Sequence, residues 1–260
     1  MRWRAVGVVI PALLVVTACG DAGGGGGSGD DRQEITVLAA ASLTEAFSDL
    51  AASFEEANGG VEVLLSFGPS DGLATQIIEG APADVFASAS PTWADAVEDD
   101  GPGLTGRSDF ARNRLVVITP TDDPAGISSV EELAEPGVRL ILAAEDVPAG
   151  TYAREVLTNT GVGEAALANV VSNEDDVKAV VQKVVLGEAD AGIVYITDPT
   201  GQVEPELRTV EIPRRINVIA TYPIGAVTGT PEPDLARSFV ELVTGVDGQA
   251  VLSSNGFLPP

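Results

Sequence analysis

The sequence contains no histidine. That removes the commonest general base and the commonest metal ligand found in proteins. A single cysteine, Cys19, means that no disulfide can close within the chain. Cations are scarce too: 14 Lys and Arg stand against 39 Asp and Glu, for a formal net charge of −25. Nucleic acid is a poor partner for such a chain, because its binding rests on neutralising phosphates with Lys and Arg. A small anion is not excluded, since screening confines charge effects to about 8 Å at physiological salt and leaves local dipoles to decide. What the chain does have is apolar residues, 45% of its 260 positions. That is enough to bury one large core or two ordinary ones.

Arg2 and Arg4 precede an apolar run over residues 6–16, and Val16-Thr17-Ala18 follow with small side chains before Cys19. This is the layout of a secretory signal, and the run is too short to span a bilayer comfortably. The lone cysteine directly after the small residues resembles a bacterial lipoprotein signal. It predicts a signal peptide over residues 1–18 and a lipid on Cys19. Residues 19–33, with five consecutive glycines from Gly23 to Gly27, read as a flexible tether; no Gly-Lys-Ser/Thr follows to make them a phosphate loop.

From residue 34 onward the pattern alternates strand with helix. Ile35 to Ala40 reads as a strand, and Ser42-Leu43-Thr44-Glu45 reads as a capping box opening a helix with Phe47, Leu50, Ala51 and Phe54 on one face. Val61 to Phe67, the turn Gly68-Pro69-Ser70 and a helix through Leu73 and Ile77 repeat the unit. A third unit runs from Asp84 to Ser88 and into a helix capped by Ser90 before Pro91. Three such units predict a parallel sheet. A second set starts at Leu115: a capping box of Ser128 and Glu131, a strand over 139–143, a helix over 149–157, a valine-rich helix between Asp176 and Gly187, and a strand over 191–196. A strand over 218–227 and an amphipathic helix over 234–244 then return to the first set. The expected lobes are therefore 34–115 with 218–260, and 116–217.

In open α/β sheets, ligands sit beyond the carboxyl ends of the strands. Ser42 and Ser70 both stand there, each between a strand and the first turn of a helix. Helix amino termini offer unpaired N–H donors and about half a positive charge, so they hold an anion without Lys or Arg. Each serine reads equally as an ordinary helix cap. Gly68-Pro69-Ser70-Asp71-Gly72 also fits the nucleophile elbow of the α/β-hydrolases, which would make Ser70 an esterase nucleophile. That chemistry needs a base to take the serine proton. There is no histidine, and Lys178 and Lys183, the only lysines, fall in the other set of elements.

At Ala39-Ala40-Ala41-Ser42-Leu43-Thr44, Gly80-Ala81-Pro82-Ala83-Asp84, Val147-Pro148-Ala149-Gly150 and Gly192-Ile193-Val194-Tyr195, the sequence resembles the molybdate-binding (ModA) family of bacterial ABC transporters. The segments fall in family order across nearly the whole mature chain. The resemblance implies an α/β, type II periplasmic-binding fold, with two lobes joined by a two-strand hinge. It implies oxyanion ligation by the hydroxyls of Ser42, Ser70 and Tyr195 and by backbone N–H groups including those of Ala149 and Val177. Molybdenum would be held only as its oxyanion, with no direct protein ligand to the metal and no cofactor. It further implies a non-enzymatic, monomeric protein on the outer face of the cell membrane, passing molybdate or tungstate to a permease and a separate ATPase. Sulfate or phosphate is the alternative cargo. The departures from the family's commoner serine-rich stretch are Pro69 and Asp71; an inward Asp71 would oppose a dianion.

Overall fold

The computed structural model describes residues 33–260. The predicted signal peptide, Cys19 and the predicted tether up to residue 32 lie outside the described residues, and residue 33 already belongs to the first strand. Among the described residues, no helix is long and apolar enough to cross a membrane.

Strand β1 (Gln33–Ala40) is buried at its apolar positions from Ile35 onward. It feeds a short 3-10 turn, Ala41–Leu43, and then helix α1 (Thr44–Ala57). Phe47, Leu50, Ala51 and Phe54 keep helical spacing, and all four are buried. The predicted capping box at Ser42 and Glu45 does not form. The 3-10 turn shifts the helix start, Leu43 occupies the cap position without a side-chain bond, and Thr44 Oγ1 donates to the Ala41 carbonyl instead. β2 (Val61–Gly68) leads to α2 (Ser70–Ile78), and β3 (Val85–Ala87) leads to α3 (Pro91–Asp100), where Ser90 caps as its position before proline predicts. β2 and β3 flank β1, both parallel to it.

β4 (Leu104–Pro120) spans 17 residues and changes partners along its length. Leu104 to Arg114 pair antiparallel with β9 (Ile219–Val227), which also pairs with β3. From Leu115 onward β4 pairs instead with β7 (Ala191–Tyr195) and β8 (Leu207–Glu211). The second half of the sheet is completed by β5 (Leu140–Ala143), which lies parallel to β7 and to β6 (Val170–Glu174). The chain thus crosses between halves twice, at Arg114–Leu115 and through residues 212–218.

Helices α4 (Pro148–Thr160) and α6 (Val177–Val185) follow strands of the second half, and the short α5 (Gly163–Ala168) follows α4. α6 buries Val177, Val180, Val181 and Val184. The expected capping box at Ser128 and Glu131 is realised one residue later, between Ser129 and Glu132 at the 3-10 turn Val130–Ala134, because Glu132 is the acid that reaches back to the backbone. α7 (Pro233–Thr244) and α8 (Val246–Ser254) pack onto the first half. Phe239 on α7 meets Phe54 at a ring separation of 5.3 Å and Phe47 at 6.1 Å, both edge-on, the preferred aromatic geometry. Gly150 has no alternative. A Cβ there would lie 1.9 Å from the Ala144 carbonyl oxygen, so only glycine lets the first turn of α4 close onto the end of β5.

Candidate functional site

One small cavity lies between the halves, at the carboxyl ends of β1, β2 and β7. Ser42, Ser70, Ala149, Val177 and Tyr195 all line it, together with Asp176. Its volume is about 20 Å³, room for one compact group rather than an extended ligand. No lysine or arginine is among the lining residues. Whatever enters meets hydroxyls and helix amino termini.

Ser42 sits in the 3-10 turn after β1 and is 3% exposed. Its Oγ lies 3.0 Å from the hydroxyl of Tyr222, on β9. Ser70 is the first residue of α2 and does not cap it; its Oγ accepts the Ala89 N–H at 3.0 Å. Both serines are therefore held by distant partners rather than by their own helices. Ala149 follows Pro148 in the first turn of α4, where an N–H has no acceptor within the helix. Val177 opens α6. The Asp176 carboxylate beside it accepts the Ala179 N–H at 2.8 Å, which commits that acid to capping.

Tyr195 ends β7 and is fully buried, and its hydroxyl has no hydrogen-bond partner among the described residues. An orphaned buried hydroxyl on a cavity wall is a group waiting for a ligand. Its backbone N–H donates to Asp198 Oδ2 at 2.9 Å. Asp198 is wholly buried, and desolvation pushes its carboxyl up to about 7 although Lys178 Nζ, 3.7 Å away, pulls it down. Asp71, the residue whose charge would oppose a dianion, is not among the lining residues. Burial raises its carboxyl, with Asp146 and Asp175 adding to the rise.

Contacts across the cavity mouth join the halves. Trp93 Nε1 on α3 donates to the Asp146 carbonyl at 3.1 Å, and Lys178 Nζ on α6 lies 2.9 Å from both Glu45 carboxylate oxygens on α1. No base reaches Ser70: Lys178 is engaged by Glu45, and Lys183 pairs with Glu174 at 3.1 Å. Among the described residues, no group of acids or thiols is arranged to hold a metal ion. Tyr222, which meets Ser42, and Asp198, which holds the Tyr195 N–H, are residues beside the site that sequence reasoning missed. Tyr222 stands inside an apolar strand like any core aromatic, and its partner Ser42 is 180 positions away.

The family described as bacterial extracellular solute-binding protein matches residues 35–258. The chain is 36% identical to the molybdate-binding protein ModA of Mycobacterium tuberculosis, across the full length of both. It is 32% identical to the molybdate-binding protein ModA of Escherichia coli, over 86% of this chain and 88% of that one. The chain belongs to the ModA family of solute-binding proteins. The periplasmic molybdate-binding protein of Azotobacter vinelandii has the same fold, with a TM-score of 0.76 at 23% identity over 87% of this chain and 99% of that one. ModA proteins are solute-binding proteins and not enzymes.

Proposed function

We propose that this protein captures molybdate, and tungstate with it, in the cavity walled by Ser42, Ser70, Ala149, Val177 and Tyr195. The observation that carries the reading is the orphaned Tyr195 hydroxyl, which faces two serine hydroxyls and two helix amino termini with no cation present. Apart from the Asp176 carboxylate, which caps α6, the polar side chains of this wall are hydroxyls, and they are joined by helix-terminal N–H groups. The Ser70 Oγ already accepts a backbone N–H, so its own proton is free to point at a ligand. Molybdate is fully deprotonated at neutral pH and needs donors only, whereas hydrogen phosphate brings a proton that needs an acceptor. The names of the relatives support molybdate over sulfate, the other fully deprotonated tetrahedral dianion.

The lobes are 34–115 with 218–260, and 116–217. The two crossings, at Arg114–Leu115 and in residues 212–218, form the hinge, so the halves close on the anion and the monomer delivers it to a permease driven by a separate ATPase. Lipid on Cys19 and the glycine-rich segment after it hold the body at the outer face of the cell membrane. Thermal unfolding tests the cargo. Molybdate and tungstate stabilise the folded protein by RT ln(1 + [L]/Kd) and so raise the Tm, while equal concentrations of phosphate leave it unchanged. An equal rise with phosphate or sulfate favours a sulfate- or phosphate-type protein, and no rise with molybdate overturns the reading.

A further inference from the structure

We infer that Lys178 exchanges partners as the halves close: it pairs with Glu45 across the cleft when the anion is held, and turns to Asp198 on its own half when the cleft opens. The inference rests on the anion-capture reading above and makes Lys178 a positioning residue for that site. Lys178 directly follows Val177 in the first turn of α6, and its Nζ stands between two carboxylates. One belongs to Glu45, in the first turn of α1 just past Ser42, and both of its oxygens lie 2.9 Å from Nζ. The other belongs to Asp198, on the turn after β7, whose Oδ1 lies 3.7 Å from Nζ. Of the two acids, only Glu45 lies on the opposite half.

The two oxygens of Asp198 are not alike. Oδ2 accepts the Tyr195 N–H at 2.9 Å, whereas Oδ1 is buried and has no hydrogen-bond partner among the described residues. A buried carboxylate oxygen left without a donor costs free energy, and the cation beside it is Lys178. Glu45 holds that cation about 1 Å short of hydrogen-bond distance to Oδ1. Separating the halves carries Glu45 away with α1, while Asp198 stays beside α6. The four-carbon stem of Lys178 then lets its ammonium complete the bond to Oδ1. Opening thus exchanges one ion pair for another instead of leaving Lys178 and Asp198 unpaired, and the balance between the two acids tunes how tightly the anion is held.

Calorimetric titration of molybdate into the full chain tests this on wild type, Glu45→Gln, Asp198→Asn and each change combined with Lys178→Met. The titrations run at about pH 8, above the value of about 7 to which burial raises the Asp198 carboxyl, so that this acid is ionised. By charge alone, removing either acid strengthens the binding of an anion. The exchange predicts opposite signs. Glu45→Gln weakens molybdate about threefold, because Lys178 then favours the open arrangement, and Asp198→Asn tightens it about threefold, because Lys178 loses its partner there. In the Lys178→Met background the Glu45→Gln loss disappears and the Asp198→Asn gain shrinks. Tighter or unchanged binding in Glu45→Gln, a loss that persists without Lys178, or no gain in Asp198→Asn overturns the inference. The Glu45 side chain is 46% exposed, so Glu45→Gln keeps the test standing even if Asp198→Asn does not fold. A crystal structure of the ligand-free wild type reads the exchange without any cargo. Lys178 Nζ should lie about 3 Å from Asp198 Oδ1 there, and Nζ still on Glu45 or turned to solvent overturns the inference. Wild type that ignores molybdate but shows this contact fails the capture reading and not the exchange.

Discussion

Ser70 Oγ accepts the Ala89 N–H within a buried wall, so replacing Ser70 with Ala both strips a donor of its partner and removes a hydroxyl from the cavity. The unpaired N–H costs about 1–3 kcal/mol of stability. The lost bond to a charged ligand costs about 1.5–3 kcal/mol of binding, roughly 10- to 100-fold in Kd. Ser70→Ala is thus expected to fall in both urea-unfolding stability and molybdate affinity, and lowered stability with unchanged affinity would make Ser70 a support only. In the sequence, Ser42 and Ser70 were open to two readings, cap or anion donor. Neither is a cap in the structure, because each Oγ is engaged by a group from elsewhere in the fold. Local spacing carries no information about Tyr222 or Ala89, which is why the pattern Ser-x-x-Glu at Ser42 misled.

Helices with a strong apolar period were legible, and α1, α6 and α7 all fall where their buried faces predict. The first eleven residues of β4 were not. Arg107, Asp109, Arg112 and Arg114 interrupt any apolar run there, and register shifts break the alternation against β9. The short α5, β6, β8 and α8 gave no sustained period and were likewise missed. The turn after β7 carries a pH dependence that no local pattern signals. Asp198 closes that turn by accepting the Tyr195 N–H, and burial holds its carboxyl near 7, above the ordinary value near 4. Between those values the folded protein keeps a proton that the unfolded chain releases, so this group's contribution to stability falls as pH rises from about 4 to 7 and is level beyond. Asp198→Asn keeps the acceptor and removes the titration. The stability of wild type relative to the variant should therefore decline by up to about 4 kcal/mol across that range in urea unfolding. A difference that is flat or rises with pH would contradict the burial of this charge.

The molecule as a whole is two half-sheets sharing β4, with the candidate site where helices of both halves point their amino termini at one cavity. The contacts across its mouth are weak. Lys178 and Glu45 form a partly exposed ion pair of a kind that contributes about 0–1 kcal/mol, and Trp93 adds one hydrogen bond. In the proposed closure, the free energy comes from the anion, which has to interact better with the closed arrangement than with the open one. The net charge of −25 does not forbid this, because the cavity wall is made of hydroxyls and backbone amides and the one acid in it is committed to capping α6. The central claim is that this wall is a donor-only site between two halves. Isothermal titration calorimetry of the purified protein with molybdate and with hydrogen phosphate at neutral pH tests it most directly. One molybdate per chain is predicted, bound at least about 100-fold more tightly than hydrogen phosphate, the discrimination expected when a proton finds no acceptor. Equal affinities, or hydrogen phosphate bound more tightly, would contradict it.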